Sequence, residues 1–147
     1  MNTSTQIDSD NKLLVGIGGW LLLPALGTFL APIFLGIALY DSISLLNEIT
    51  GDLIGIAVYD LLSQIVLMGI SIWSLYLLVR ADKKYPKVFS LLLLFSLTNA
   101  LIGILLLTSY GAPANSLAVG FFRSLVAAAI WLPYIYRSKR VKLTFVN

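Results

Sequence analysis

Residues 53–79 read LIGIAVYDLLSQIVLMGISIWSLYLLV, a run that contains a single charged residue, Asp60. A helix on the surface of a soluble protein has a polar face, whereas this run carries apolar residues all the way round. About 20 apolar residues are enough to cross the hydrocarbon core of a bilayer, which is roughly 30 Å thick. The run therefore predicts a transmembrane helix.

Three more runs of the same character cover residues 15–40, 88–110 and 117–136. Turn-forming and charged residues lie between the runs, so the connections are interpreted as loops. Short loops place consecutive helices antiparallel to each other in a compact bundle. The sequence therefore predicts an all-α, polytopic integral membrane protein, with a four-transmembrane-helix bundle formed by residues 13–137.

The composition supports a membrane protein and excludes several kinds of site. The chain is 59% apolar and 12% charged, against roughly 45–50% and about 25% in soluble proteins. It has no Cys and no His, which excludes disulfides, Cys/His metal sites, thiol nucleophiles and histidine acid–base chemistry. We therefore expect no enzymatic activity, no cofactor and no bound metal. We attribute the net charge of +3 to membrane topology and not to nucleic-acid binding.

The basic residues predict the orientation, because all of them except Arg123 lie on one side of the predicted bundle. By the positive-inside rule that side is cytoplasmic. Residues 1–12 are then a disordered polar cytoplasmic tail and residues 138–147 a basic cytoplasmic tail. Eight of the basic residues are candidate contacts for lipid headgroups or for a partner at the cytoplasmic face: Arg80, Lys83, Lys84, Lys87, Arg137, Lys139, Arg140 and Lys142.

The aromatic residues and prolines add local expectations. The three tryptophans lie toward the cytoplasmic ends of their spans, where amphipathic rings anchor helices at the headgroups. Three prolines inside the spans are expected to kink or break the helices, because proline removes a helix hydrogen bond. The tryptophans are Trp20, Trp73 and Trp131, and the prolines are Pro24, Pro32 and Pro133.

Two charged residues lie within the predicted hydrocarbon, Asp60 in the second span and Arg123 in the fourth. Each is expected to face the bundle interior, because a charge at the bilayer centre costs about 2.5–3.5 kcal/mol or more. Counted from the outer ends of their spans the two have matching depths, so an ion pair is predicted. Counted from the inner ends, their depths differ by about 9 Å at 1.5 Å per residue. Nearby polar residues form a possible polar core with the pair: Ser63, Gln64, Asn99 and Ser124.

Two interpretations of this pair stay open. It could be a structural ion pair that fixes the register of the helices, or part of a proton or solute pathway. The structural interpretation is favoured because the two charges would neutralise each other. The sequence also shows no convincing internal repeat of the kind that many transporters have. Small residues spaced four apart, such as Gly120 and Ser124, allow close helix packing within the bundle or in a homo-oligomer.

Several short motifs resemble an uncharacterised bacterial membrane family, domain of unknown function 2569. They are Gly16-Ile-Gly-Gly-Trp-Leu-Leu-Leu-Pro24 with Gly27 and Pro32, the acidic Asp60, Tyr85-Pro86, Arg123, Trp131-Leu-Pro-Tyr134, and Ser138-Lys-Arg-Val-Lys-Leu-Thr-Phe145. The family often has Glu in place of Asp60. The resemblance implies a four-span inner-membrane protein without an established activity.

Two hypotheses for the function follow. The first is a non-enzymatic accessory or interaction subunit, whose partners are the lipid bilayer and either another membrane protein or a second copy of the chain. The alternative is a small proton- or ion-coupled transporter or channel that uses Asp60 and Arg123.

Overall fold

The computed structural model describes residues 19–48, 51–111 and 115–145, with only the backbone described at Asp52, Ser116 and Arg140. The predicted polar tail of residues 1–12 therefore lies outside the described residues. The described parts of the chain are helical, and four of the helices are long and apolar enough to cross a membrane. The prediction of an all-α, four-span membrane protein is confirmed.

Five α-helices follow one another along the chain. A single 3-10 turn, Gly19–Leu21, leads into α1 (Leu22–Glu48), and a second, Gly51–Leu53, leads into α2 (Ile54–Val79). These are followed by α3 (Tyr85–Ser109), α4 (Asn115–Arg137) and the short α5 (Lys139–Thr144). Among the four long helices, the most extensive contacts join consecutive ones: α1 with α2, α2 with α3 and α3 with α4.

The two ends of the bundle differ in charge. The basic end contains the connection from α2 to α3 and helix α5, with most of the Lys and Arg residues. The acidic end contains the end of α1, with Asp41 and Glu48, and the connection from α3 to α4.

Helix α1 is longer than the first predicted span. Residues 41–48 were predicted to be part of a loop because Asp41, Asn47 and Glu48 suggest a turn, but α1 continues through all of them. Ser42 bonds to α2, and Leu45 joins the inner wall of the bundle three residues later. These contacts lie on one face at helical spacing, so packing against α2 outweighs the local turn preference.

Most of the apolar surface faces outward, as lipid requires. In the most apolar stretch of α3, only 6% of the residues are buried within the protein. Large apolar side chains such as Phe29, Phe34 and Leu105 are more than half exposed. Several hydroxyl groups in the spans bond to their own helix and are thereby satisfied without water; Thr98, for example, donates to the carbonyl of Leu94 at 2.9 Å.

The connection from α2 to α3 is a tight turn with a left-handed alanine. Ala81 has φ +51°, its N–H donates to the Leu78 carbonyl at 3.1 Å, and the N–H of Asp82 donates to the Leu77 carbonyl at 3.0 Å. This is the Schellman pattern of helix ends, in which glycine usually takes the left-handed position. The Asp82 carboxylate then accepts the N–H of Lys84 at 2.8 Å, just before α3 begins.

A tightly packed cluster closes the basic end. Tyr85 is fully buried at its centre, and its ring stacks on Phe145 with 4.6 Å between centroids. Thr28 donates to the Pro24 carbonyl at 2.8 Å, so the Tyr85 hydroxyl donates to Thr28, at 2.9 Å. The cluster joins residues from all five helices and the first 3-10 turn: Leu21, Ala25, Leu77, Leu78, Tyr85, Val88, Phe89, Ile135, Val141 and Phe145.

The basic tail is a folded cap, which the sequence interpretation did not foresee. Residues 139–144 form α5, and Val141, Thr144 and Phe145 are buried against the bundle, while Lys139 and Lys142 stay exposed. The buried residues follow the spacing i, i+3 and i+4 of one helix face. The tail was therefore readable as a short amphipathic helix.

The predicted prolines and tryptophans lie in different settings. Pro24 occupies the first turn of α1, where no helix hydrogen bond is lost, so the break expected there is not needed. Helices α1 and α4 run through Pro32 and Pro133. Trp20 and Trp73 are exposed near the basic end, whereas Trp131 is half-buried. It packs edge-on against Tyr134, with 5.9 Å between centroids.

Candidate functional site: a polar cavity at the acidic end

Asp60 is held by a serine of the neighbouring helix. The hydroxyl of Ser42, on α1, lies 2.5 Å from Oδ2 of Asp60 on α2, and it also lies 3.0 Å from the carbonyl of Ala38. Ser42 is buried and Asp60 half-buried. The other carboxylate oxygen, Oδ1, has no hydrogen-bond partner among the described residues.

A second hydrogen bond joins α2 to α3 beside Asp60. The hydroxyl of Tyr59 donates to Oδ1 of Asn99 at 2.8 Å. Ser63, one turn along α2, is buried and donates to the Tyr59 carbonyl at 2.8 Å. Ser63 therefore bonds to its own helix and does not extend the polar group toward the other helices.

Tyr59, Asp60 and Asn99 line a cavity between the four long helices, with a volume of about 610 Å³. Gln64 and Ser124 also line it, and the side-chain oxygen of Gln64 is buried without a hydrogen-bond partner among the described residues. The predicted polar core is therefore assembled in part: Asp60, Gln64, Asn99 and Ser124 share one cavity. Most of its wall is apolar: Phe34, Leu35, Ala38, Leu45, Leu53, Ile56, Ala57, Leu67, Ala100, Leu107 and Leu117.

The cavity lies toward the acidic end. Asp60 precedes Leu78 of the basic-end cluster by 18 positions, about 27 Å along the helix at about 1.5 Å per residue. A hydrocarbon core of roughly 30 Å that begins at the cluster would therefore end close to Asp60. Leu45, Leu53 and Leu117 line the cavity near the acidic-end helix termini.

Arg123 does not join this cavity, and the predicted Asp60–Arg123 ion pair is not formed. Arg123 is exposed on the outer face of α4, in a shallow groove that α4 alone lines. It precedes Ile135 of the basic-end cluster by 12 positions, or about 18 Å, so it lies about 9 Å nearer the basic end than Asp60 does. The structure agrees with the depths counted from the inner ends of the spans and not with those counted from the outer ends. Within the described residues Arg123 has no ion-pair partner.

We name the outer surface around this side chain the Arg123 face. It consists of exposed residues of α4 at helical spacing: Ala118, Val119, Phe122, Arg123, Val126 and Ile130. Ser124 lies on the opposite side of α4, in the cavity wall, with Gly120 one turn before it. Helix α4 therefore presents one side to the cavity and an arginine to the surroundings.

The predicted basic contact residues are at the surface of the basic end. Arg80 lies over the ring of Tyr76, 4.7 Å from its centroid, a cation–π contact that holds the guanidinium near the helix end. Seven of the eight candidates have described side chains, all exposed: Arg80, Lys83, Lys84, Lys87, Arg137, Lys139 and Lys142. The side chain of Arg140 lies outside the described residues.

The sequence interpretation missed Tyr59, which lines the cavity, and Ser42, the hydrogen-bond partner of Asp60. Ser42 was assigned to a loop, although Leu35, Ala38, Ser42 and Leu45 follow a 3-4-3 spacing that indicates one helix face. Tyr59 was passed over as one apolar residue among many. Its position next to Asp60 within a span was the available signal.

The comparisons with known proteins give a family. The sequence matches a family described as protein of unknown function, DUF2569, over residues 14–146. The chain belongs to the DUF2569 family. No curated protein and no solved structure matches it.

The DUF2569 match covers both ends of the bundle. Residues from three separate motifs of the resemblance meet at the basic end: Pro24 accepts from Thr28, which bonds to Tyr85, and Tyr85 stacks on Phe145. In this DUF2569 protein those motifs therefore build the closed core. Asp60, the acidic motif residue, belongs to the cavity instead.

Proposed function

We propose that this protein is a non-enzymatic interaction subunit of the bacterial inner membrane, and that the Arg123 face binds a transmembrane helix of another membrane protein. The observation that carries the proposal is the exposure of Arg123 in a membrane span without an ion-pair partner among the described residues. Membrane arginines usually face a bundle interior or a charged partner. A partner helix with an acidic residue would supply that missing charge.

The surroundings of Arg123 suit a helix. Ala118 and Ala127 are small and lie in the same groove as Arg123, and small residues let helix backbones approach closely in lipid. Phe122, Val126 and Ile130 give apolar contact on either side. A lipid phosphate is the competing occupant, because an arginine side chain can extend toward the headgroups.

Crosslinking in living cells tests this proposal. A photoreactive residue replaces Val119 or Val126 on the Arg123 face, and Leu94, exposed on α3, serves as the matched control position. A protein adduct is expected at the first two positions and not at Leu94. Arg123→Leu should lower its yield at least about tenfold, as loss of one member of a desolvated charge pair does. Arg137→Leu should leave it unchanged.

The charge itself is tested by reversal. Arg123→Glu should abolish the adduct, and replacing the acidic residue of the partner span with Lys should restore it. If the adduct survives in Arg123→Leu, or if only lipid is crosslinked, the proposal is wrong. If the crosslinked protein is a second copy of the same chain, the Arg123 face joins the subunits of a homo-oligomer.

The proposed orientation, with both termini in the cytoplasm, rests on the positive-inside rule. The absence of native Cys allows single cysteines to be labelled without background. An impermeant maleimide added to intact cells with a permeabilised outer membrane should label Glu48→Cys and leave Lys83→Cys unlabelled until the cells are lysed. Both positions are exposed, at opposite ends of the bundle, and the reverse pattern would contradict the orientation.

A transporter is the second candidate function, and the cavity with Asp60 is the observation that favours it. Because Asp60 and Arg123 do not pair, the proton or ion coupling through both residues that the sequence predicts for a transporter loses its support. The cluster around Tyr85 closes the basic end, so transport would require that end to open. Solute- or proton-driven flux in proteoliposomes that is lost in Asp60→Asn would support this candidate over the interaction subunit.

A further inference from the structure

We propose that the cavity at the acidic end binds a protonated primary amine attached to an apolar chain. The juxtaposition that carries this inference is one carboxylate oxygen without a partner among the described residues, next to further oxygen acceptors, in a mostly apolar cavity of about 610 Å³. The site is separate from the Arg123 face, so the inference does not depend on the proposed function.

Two acceptors of the cavity lack a donor among the described residues, although the hydroxyls of Ser96 and Ser124 and the amide groups of Gln64 and Asn99 also line it. Oδ1 of Asp60 is unpartnered among the described residues, and so is the buried oxygen of Gln64. The hydroxyl of Tyr59 uses its hydrogen on Asn99, so toward the cavity it can only accept. A ligand that satisfies this set must bring several N–H or O–H donors.

Charge complementarity decides between those donors. No described basic side chain lies in the cavity wall, because Arg123 points to the other side of α4. Asp60 therefore lacks a counter-charge within the described part of the chain. A protonated amine supplies a positive charge and three N–H donors, and charge-assisted hydrogen bonds are about twice as strong as neutral ones.

The apolar wall sets the rest of the ligand. Phe34, Leu35, Leu67 and Leu107 surround the polar groups, and the volume falls in the range of about 300–1,000 Å³ typical of small-molecule sites. A bare metal ion would leave this wall unused, and Ca²⁺ or Mg²⁺ requires more oxygen ligands than one carboxylate and a few neutral groups provide. An alkyl chain, by contrast, would contact the apolar wall of the cavity.

Two sources offer this chemistry: the headgroup of an aminophospholipid such as phosphatidylethanolamine, and a free long-chain amine. Both can enter at the acidic end, where Leu53 and Leu117 line the cavity near the helix termini. The shared element is the ammonium group against Asp60.

Binding of dodecylamine to the full chain in phosphatidylcholine nanodiscs tests the inference. Titration calorimetry or the ligand-induced shift in melting temperature gives the affinity. Three probes with the same chain length separate charge from hydrogen bonding: dodecylamine, dodecyltrimethylammonium and dodecanol. Dodecylamine should bind at least about tenfold more tightly than the other two, since only it combines a charge with N–H donors.

Variants locate the site. Asp60→Asn should weaken dodecylamine binding by about tenfold or more, and it keeps an acceptor for Ser42, so folding is expected to be retained. Asp60→Glu keeps the charge and should bind better than Asp60→Asn. The matched control is Asp41→Asn, because Asp41 adjoins Ser42 on α1 but is exposed and outside the cavity wall; it should bind as the unchanged chain does.

The results separate the sources and can overturn the inference. If phosphatidylethanolamine in the nanodisc competes with dodecylamine, the aminolipid is the natural source; if it does not, a free amine is. Equal affinity for dodecanol, or undiminished binding by a folded Asp60→Asn, would show that the carboxylate does not recognise an ammonium group. A failed Arg123 crosslinking experiment would leave this result unaffected.

Discussion

The same four long helices pack closely at the basic end of the bundle and leave a cavity at the acidic end. At the basic end Tyr85 is fully buried, stacked on Phe145 and bonded to Thr28. At the acidic end one carboxylate oxygen of Asp60 has no partner among the described residues, and it lies in a cavity of about 610 Å³. In lipid, apolar surface gives little force for helix association, so packing and hydrogen bonds hold helices together. The basic end therefore holds the helices together, whereas the acidic end contains a cavity.

The largest expected effect follows from removing the centre of the closed end. Tyr85→Ala should lower the free energy of unfolding by about 2–4 kcal/mol, because it leaves a cavity and ends the bond to Thr28. Thermal unfolding in mild detergent measures it. Tyr110→Ala is the control, since Tyr110 is exposed at the acidic end, and it should cost under about 0.5 kcal/mol. Equal losses would contradict the division between the two ends.

A smaller effect is expected from the polar contact of the open end. Ser42→Ala should lower the free energy of unfolding by about 0.5–1.5 kcal/mol, because hydrogen bonds between membrane helices contribute about 0.6 kcal/mol on average and at most about 1.7 kcal/mol. It should weaken amine binding as well, because Ser42 positions Asp60. Ser63→Ala is the comparison, since Ser63 bonds only to its own helix, and it should leave binding unchanged. A loss of stability as large as that of Tyr85→Ala would make Asp60 a structural centre instead.

The smallest expected effect concerns two glycines. Gly69→Ala should stabilise the protein by about 0.5–1 kcal/mol, because alanine favours helix and its Cβ would meet nothing within 4 Å. Gly103→Ala should gain less or lose stability, since its Cβ would lie 3.3 Å from Leu117. Melting temperatures of the two variants make the comparison. An equal gain at Gly103 would show that α3 and α4 are loosely packed beside the cavity.

The apolar runs were sufficient to predict the helices. The cavity also depends on where the first helix ends and on how each helix is rotated about its axis, which the apolar runs do not show. The second, third and fourth spans were predicted to within three residues at each end, because uninterrupted apolar length is a strong signal. The first span was cut short at Tyr40, because Asp41 and Asn47 resemble turn residues. That error concealed Ser42, which is the actual partner of Asp60.

The pairing of Asp60 with Arg123 failed for a geometric reason. A sequence gives the distance of a residue from the helix end, but not the direction in which α4 is rotated about its own axis. Rotation places Ser124 in the cavity wall and its neighbour Arg123 on the outside. Depth counted from the outer ends was also misleading, because the helices do not end at one level.

The position of α5 along the chain has a consequence for biogenesis. The ribosome makes α5 after all four spans, yet Val141 and Phe145 complete a core whose other members come from as early as Leu21. Until α5 is synthesised, the ring of Tyr85 lacks its stacking partner Phe145. The core of the basic end can therefore be completed only after all four spans have been made.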